Sequence, residues 1–93
     1  PGMAGSASFA AKEYYVRVSA MENADNFNTR QVEGLGGRLE KWPLPDGKMT
    51  AIMLTGFTDL EEAKRVTDRL RAGAFPDAYI IQNEQGKMSR YRY

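Results

Sequence analysis

The sequence predicts an α+β domain with one open antiparallel sheet, and three observations carry that reading. The chain says nearly the same thing twice: YYVRVSAM at 14–21 and TAIMLTGF at 50–57 both read as strands, and a helix-like stretch and a second strand-like stretch follow each. Sliding Tyr14 onto Thr50 brings Val16 onto Ile52, Val18 onto Leu54 and Met21 onto Phe57. Both helix-like stretches carry a single apolar stripe, which makes each half a β-α-β unit. The first and third strands are also the most apolar, as central strands should be. The expectation is therefore a ferredoxin-like tandem βαβ repeat: a four-stranded antiparallel sheet with two helices on one face, the other face free, and a possible fifth edge strand. Two copies of a long repeat are too few for a solenoid.

Each element has its own justification. In the first strand, from about residue 14 to 21, Tyr14, Val16 and Val18 share one face and Tyr15, Arg17 and Ser19 the other. Asn23 is placed to cap a helix whose stripe is Ala24, Phe27, Val32 and Leu35, ended by Gly34, Gly36 and Gly37. Residues 38–42 form a short strand, stopped by Pro43 and Pro45 and turned by Asp46-Gly47. Residues 49–57 follow as a strand with Ile52 and Leu54 inward, Ala51 and Met53 outward. Thr58 with Glu61 fits a capping box for a second helix striped by Leu60, Ala63, Val66 and Leu70 and closing near Gly73. Its far side carries Glu61, Lys64, Arg65, Asp68, Arg69 and Arg71 and reads as a solvated face, with Glu61 four residues before Arg65. Phe75-Pro76-Asp77 turns into a strand over 78–82; after a turn at 84–87, residues 88–93 read as an edge strand or a frayed tail.

Composition narrows the function. Ninety-three residues hold one domain. PGMAGSAS at the start reads as a tag scar and linker, so the organisation expected is linker 1–12, domain 13–83, and turn plus edge strand or tail 84–93, excised from a longer protein. Thirteen Lys plus Arg against twelve Asp plus Glu give +1, far from the basic excess of a nucleic-acid binder. The absence of cysteine and histidine rules out disulfides and thiolate or imidazole metal sites, and no cofactor is expected. No apolar run is long enough to span a bilayer.

Catalysis has little to build on. Asp59, Glu61 and Glu62 gather at a helix start, where the dipole favours negative charge. Gly34-Leu35-Gly36-Gly37 follows a helix instead of leading into one, so it is a stop and not a phosphate loop. The uncovered sheet face says more. By alternation it carries Tyr15, Arg17, Ser19, Ala51 and Met53, joined by Arg38, Glu40 and Trp42 from the neighbouring strand. Such a platform suits flat polar ligands, sugar rings or bases. Trp42 packed under the hairpin loop, and Tyr15 as an ordinary strand tyrosine, are the plain alternatives.

Three pieces in order carry a resemblance: Tyr14-Tyr15-Val16-Arg17-Val18 at the opening, Leu54-Thr55-Gly56-Phe57 before Leu60-Glu61-Glu62-Ala63, and Gly73-Ala74-Phe75-Pro76-Asp77-Ala78-Tyr79-Ile80-Ile81 before Gly86-Lys87. Over residues 13–82 the chain resembles a SPOR domain, the bacterial sporulation-related repeat that binds peptidoglycan, especially glycan strands stripped of stem peptides. The ending is similar to SPOR domains of Bacteroidetes-type envelopes. Family members typically carry glutamine where this chain has Arg17, Gly-Ser-Phe where it has Ser19-Ala20-Met21, and Gly-Pro-Phe where it has Thr55-Gly56-Phe57.

The resemblance implies non-catalytic binding of peptidoglycan glycan strands through Tyr15, Arg17, Ser19 and Trp42, with Met53 as an apolar floor. It also implies a periplasmic, cell-envelope parent protein connected with cell division, with the domain a monomer or weak dimer that does not itself insert into a membrane. A second expectation is an interaction module for envelope proteins, motivated by the apolar drift of Ala20, Met49, Ala51 and Met53. Single-stranded RNA binding ranks last, because Ala51 and Met53 stand where stacked aromatics would be needed.

Overall fold

The computed structural model describes residues 12–93. The expected linker lies outside the described residues except for Lys12, which opens a strand. The described residues are α+β, with one antiparallel five-stranded sheet and one α-helix among them: β1 (Lys12–Met21), β2 (Arg38–Pro43), β3 (Thr50–Phe57), α1 (Leu60–Ala72), β4 (Tyr79–Glu84) and β5 (Lys87–Tyr91). The strand order is β2-β3-β1-β4-β5, so the first and third strands are interior, as their apolar content predicts. The segment after the turn is a true fifth strand, with Glu84 opposite Lys87 across Gln85-Gly86, both at positive φ.

The core lies between α1 and one sheet face. Tyr14, Val16 and Val18 from β1, Ile52, Leu54 and Phe57 from β3 and Ile80 from β4 meet Ala63, Val66 and Leu70 of the helix. Asp59, not Thr58, caps α1: its carboxylate accepts from the Glu61 amide at 3.1 Å. Glu61 pairs with Lys64 at 3.8 Å instead of with Arg65. Thr67 is fully buried on the helix and remains satisfied by donating to the Ala63 carbonyl at 2.8 Å. The outer face of α1 is less bare than its charge suggests. The Tyr93 hydroxyl donates toward the Lys64 carbonyl and the Asp68 carboxylate at 3.2 and 3.0 Å, so the end of the chain lies against the helix instead of fraying.

The expected first helix is a correction. Residues 23–33 form two 3-10 turns, Ala24–Asn26 and Thr29–Val32, separated by extended backbone at Phe27 and Asn28. The cause is local competition for amides. The Asn23 side chain accepts from the Asp25 amide and Asn28 from the Arg30 amide, each at 3.1 Å, so a second cap falls inside what would be one helix begun at Asn23. The predicted stripe still reaches the core: Val32 is buried, and Ala24, Phe27 and Leu35 pack against it.

Two irregularities in the central ladder set the open face. Tyr14 pairs with Phe57 but Val16 with Leu54, so β3 carries an extra residue where exposed Gly56 takes a φ of 95°. Arg17 pairs with Met53 but Ser19 with Ile52, so the extra residue there belongs to β1.

Candidate functional site

The helix-free face is a mosaic of fixed side chains, not an open apolar floor. Trp42 on β2 and Tyr15 on β1 flank β3, and their rings meet edge to face with centroids 5.2 Å apart. Two strands separated by a third lie about 10 Å apart, so this pair arches over β3. Met53 beneath is 1 % exposed and Ala51 3 %. Met53 therefore supports the surface without forming it, and the apolar drift expected of β3 is covered.

Hydrogen bonds hold each ring in place. Trp42 Nε1 donates to Glu40 Oε1 at 2.8 Å, and Thr55 Oγ1 donates to the other Glu40 oxygen at 3.1 Å. These two bonds, the tryptophan's first, hold the Glu40 carboxyl below the usual glutamate value. The Tyr15 hydroxyl donates to Glu13 at 3.2 Å and accepts from Asn83 Nδ2 at 3.1 Å. Arg17 Nη1 donates to the Tyr79 hydroxyl at 2.7 Å, and Arg17 and Tyr79 are direct cross-strand partners. Among the described residues, no buried side-chain nitrogen or oxygen lacks a partner. The rings of Tyr15 and Trp42 and the Arg17 guanidinium thus have protein partners without any ligand.

Of the expected site residues, Tyr15, Arg17 and Trp42 are brought together, half-buried, around the covered Met53. Ser19 is a correction. Cross-strand partners share a face, and the register slip after Arg17 puts Ser19 opposite core residue Ile52, with Ala20 taking the open-face position opposite Ala51. Ser19 instead helps line a cleft of about 380 Å³ with Arg17, Ala20, Pro76, Asp77 and Tyr79. Tyr79 and Asn83 are additions that sequence reasoning missed. The signal was the alternation of β4, which puts Tyr79, Ile81 and Asn83 on the face of Arg17, Tyr15 and Glu13 once β4 is paired with β1.

Among the described residues, no helix is long and apolar enough to cross a membrane. Comparison with known proteins found no matching family model, no matching curated protein and no matching solved structure.

Proposed function

We propose that this domain binds peptidoglycan glycan strands, without catalysis, on the helix-free face of its sheet, and that it is a SPOR-type module holding a periplasmic parent protein at the cell wall. In this reading the fold is ferredoxin-like, with its first helix reduced to two 3-10 turns and β5 added at the edge. The observation that carries it is the Tyr15–Trp42 pair arched over β3 with polar groups fixed around it. A sugar ring offers C–H faces and a rim of hydroxyls. An aromatic pair takes the faces, and Glu40, Arg17 and Asn83 supply acceptors and donors for the rim. Because these side chains are already ordered, little conformational entropy is lost on binding, which favours a weakly apolar ligand.

The test is co-sedimentation with intact sacculi and with sacculi treated by an amidase that removes stem peptides. The parent domain pellets more with the stripped material, and Trp42→Ala and Arg17→Ala each weaken binding about tenfold while circular dichroism stays native. If both variants bind like the parent, the face is wrong.

A second reading, docking of an envelope protein, is favoured by one observation. Among the described residues the outer edge of β5 has no strand beside it, and Met88 there is 48 % exposed. Concentration-dependent association without glycan affinity points that way.

A further inference from the structure

Tyr79, at the first position of β4, lies between two arginines. Arg17 donates to its hydroxyl at 2.7 Å, and the Arg90 guanidinium carbon lies 4.2 Å from its ring centroid. Arg90 stands opposite Ile81 on β5, which puts it on the same helix-free face. Neither arginine forms an ion pair: those found among the described residues are Lys12–Glu84, Arg38–Glu40, Lys41–Asp25 and Lys64–Glu61. A guanidinium has five N–H donors, and one contact to a phenol leaves most of them without a partner among the described residues.

The space for a ligand is present on both sides of the ring. The β1–β4 ladder ends at Arg17 opposite Tyr79, and beyond it the cleft of about 380 Å³ opens between β1 and the loop before β4. On the other side a shallower groove of about 580 Å³ is lined by Arg71, Asp77, Tyr79, Arg90 and Tyr93. Asp77 borders both spaces and is the carboxylate there, against Arg17, Arg71 and Arg90. The local balance is positive although the whole chain is nearly neutral. A planar, bidentate anion matches this arrangement better than a neutral hydroxyl does.

We infer that Arg17, Tyr79 and Arg90 form a carboxylate subsite, and that it takes the free lactyl carboxylate of a muramic acid residue. The inference rests on the glycan reading above and specifies its chemistry. That carboxyl is a neutral amide while a stem peptide is attached and becomes a charge when the peptide is removed. The subsite therefore reads the stripped state directly, at the end of the aromatic platform.

The test compares three forms of one glycan oligosaccharide: stripped with the carboxylate free, stripped with the carboxyl converted to a neutral methylamide, and peptide-bearing. Binding is followed by Trp42 fluorescence. The parent binds the free carboxylate about tenfold tighter than the methylamide, and added salt erodes that ratio. In Arg90→Gln and Arg17→Gln the ratio falls below about threefold. Arg65→Gln, which removes the same charge from the exposed side of α1, leaves it unchanged. Equal affinity of the parent for both stripped forms overturns the subsite and leaves the glycan reading standing. No binding of either overturns both. A ratio untouched by both substitutions overturns the assignment to Tyr79 and its arginines, and equally tight, Arg90-dependent binding of the peptide-bearing form overturns the lactyl source.

Discussion

The two halves of the chain start alike and diverge after their first strand. After β3, a capped run of good helix formers makes a thirteen-residue helix, α1, whose stripe closes the core. After β1, residues that also carry an apolar stripe, aligned with that of α1 only at Ala24 and Phe27, make two 3-10 turns. The difference lies in the residues between the apolar ones. LEEAKRVTDRLRA loses little rotamer freedom in a helix, whereas NADNFNTRQV includes Asn23 and Asn28, whose side chains capture backbone amides of their own segment. Both segments bury their stripe, so the comparison separates two things often merged. Apolar spacing decides which side faces the core, and the intervening polar residues decide whether the backbone is a helix.

Substitutions sharpen or break this contrast. The largest effect falls where the halves touch. Gly37 has a φ of 74°, and a methyl group there would lie 2.7 Å from Phe57 Cζ, so Gly37→Ala costs about 2–4 kcal/mol in urea unfolding. Gly34→Ala, at similar φ in open space, costs about 1 kcal/mol. Equal losses would mean that the contact with Phe57 is unimportant. Next is the same deletion in each half. Val66→Ala in α1 destabilises by about 2 kcal/mol and Val32→Ala by about 1, because a short turn can collapse onto the vacated space more easily than a helix can. If Val32→Ala costs as much, the first half is as firmly packed as the second.

The caps come third. Asp59→Ala lowers stability by about 1 kcal/mol and lowers the helical circular dichroism signal, while Asn28→Ala changes stability by a few tenths, roughly, since it ends a single turn. Gain of helical signal in Asn28→Ala would support the amide-capture explanation most directly. The smallest effect is in β2. Glu40 has a depressed folded-state pKa, so its contribution is present above the unfolded glutamate value and is lost as pH falls through the folded one. Trp42 fluorescence in the folded domain should therefore change with a midpoint below the usual glutamate value, and the step should vanish in Glu40→Gln.

Much of the site was legible from alternation alone. Tyr15, Arg17 and Trp42 share the helix-free face because strand side chains alternate, and that needs no tertiary knowledge. Ser19 was not legible: one extra residue in β1 reverses everything after it, and nothing in Val18-Ser19-Ala20 signals where a bulge falls. Met53 was placed on the correct face, but its burial depends on Trp42 and Tyr15 leaning across β3 from two different strands. Tyr79 entered the site only when β4 was paired beside β1.

By itself the sequence determined the first four strands, the interior place of the first and third, the existence of α1 and its stop near Gly73, and the apolar stripe of the first half, because these follow from short-range periodicity and residue chemistry. Tertiary structure decided the register slips, the covering of Met53 and the gathering of Arg17, Tyr79 and Arg90. Each of these is set by which strands are neighbours and by how many residues one strand sets against another, quantities that pairing fixes and that no local stretch of sequence contains.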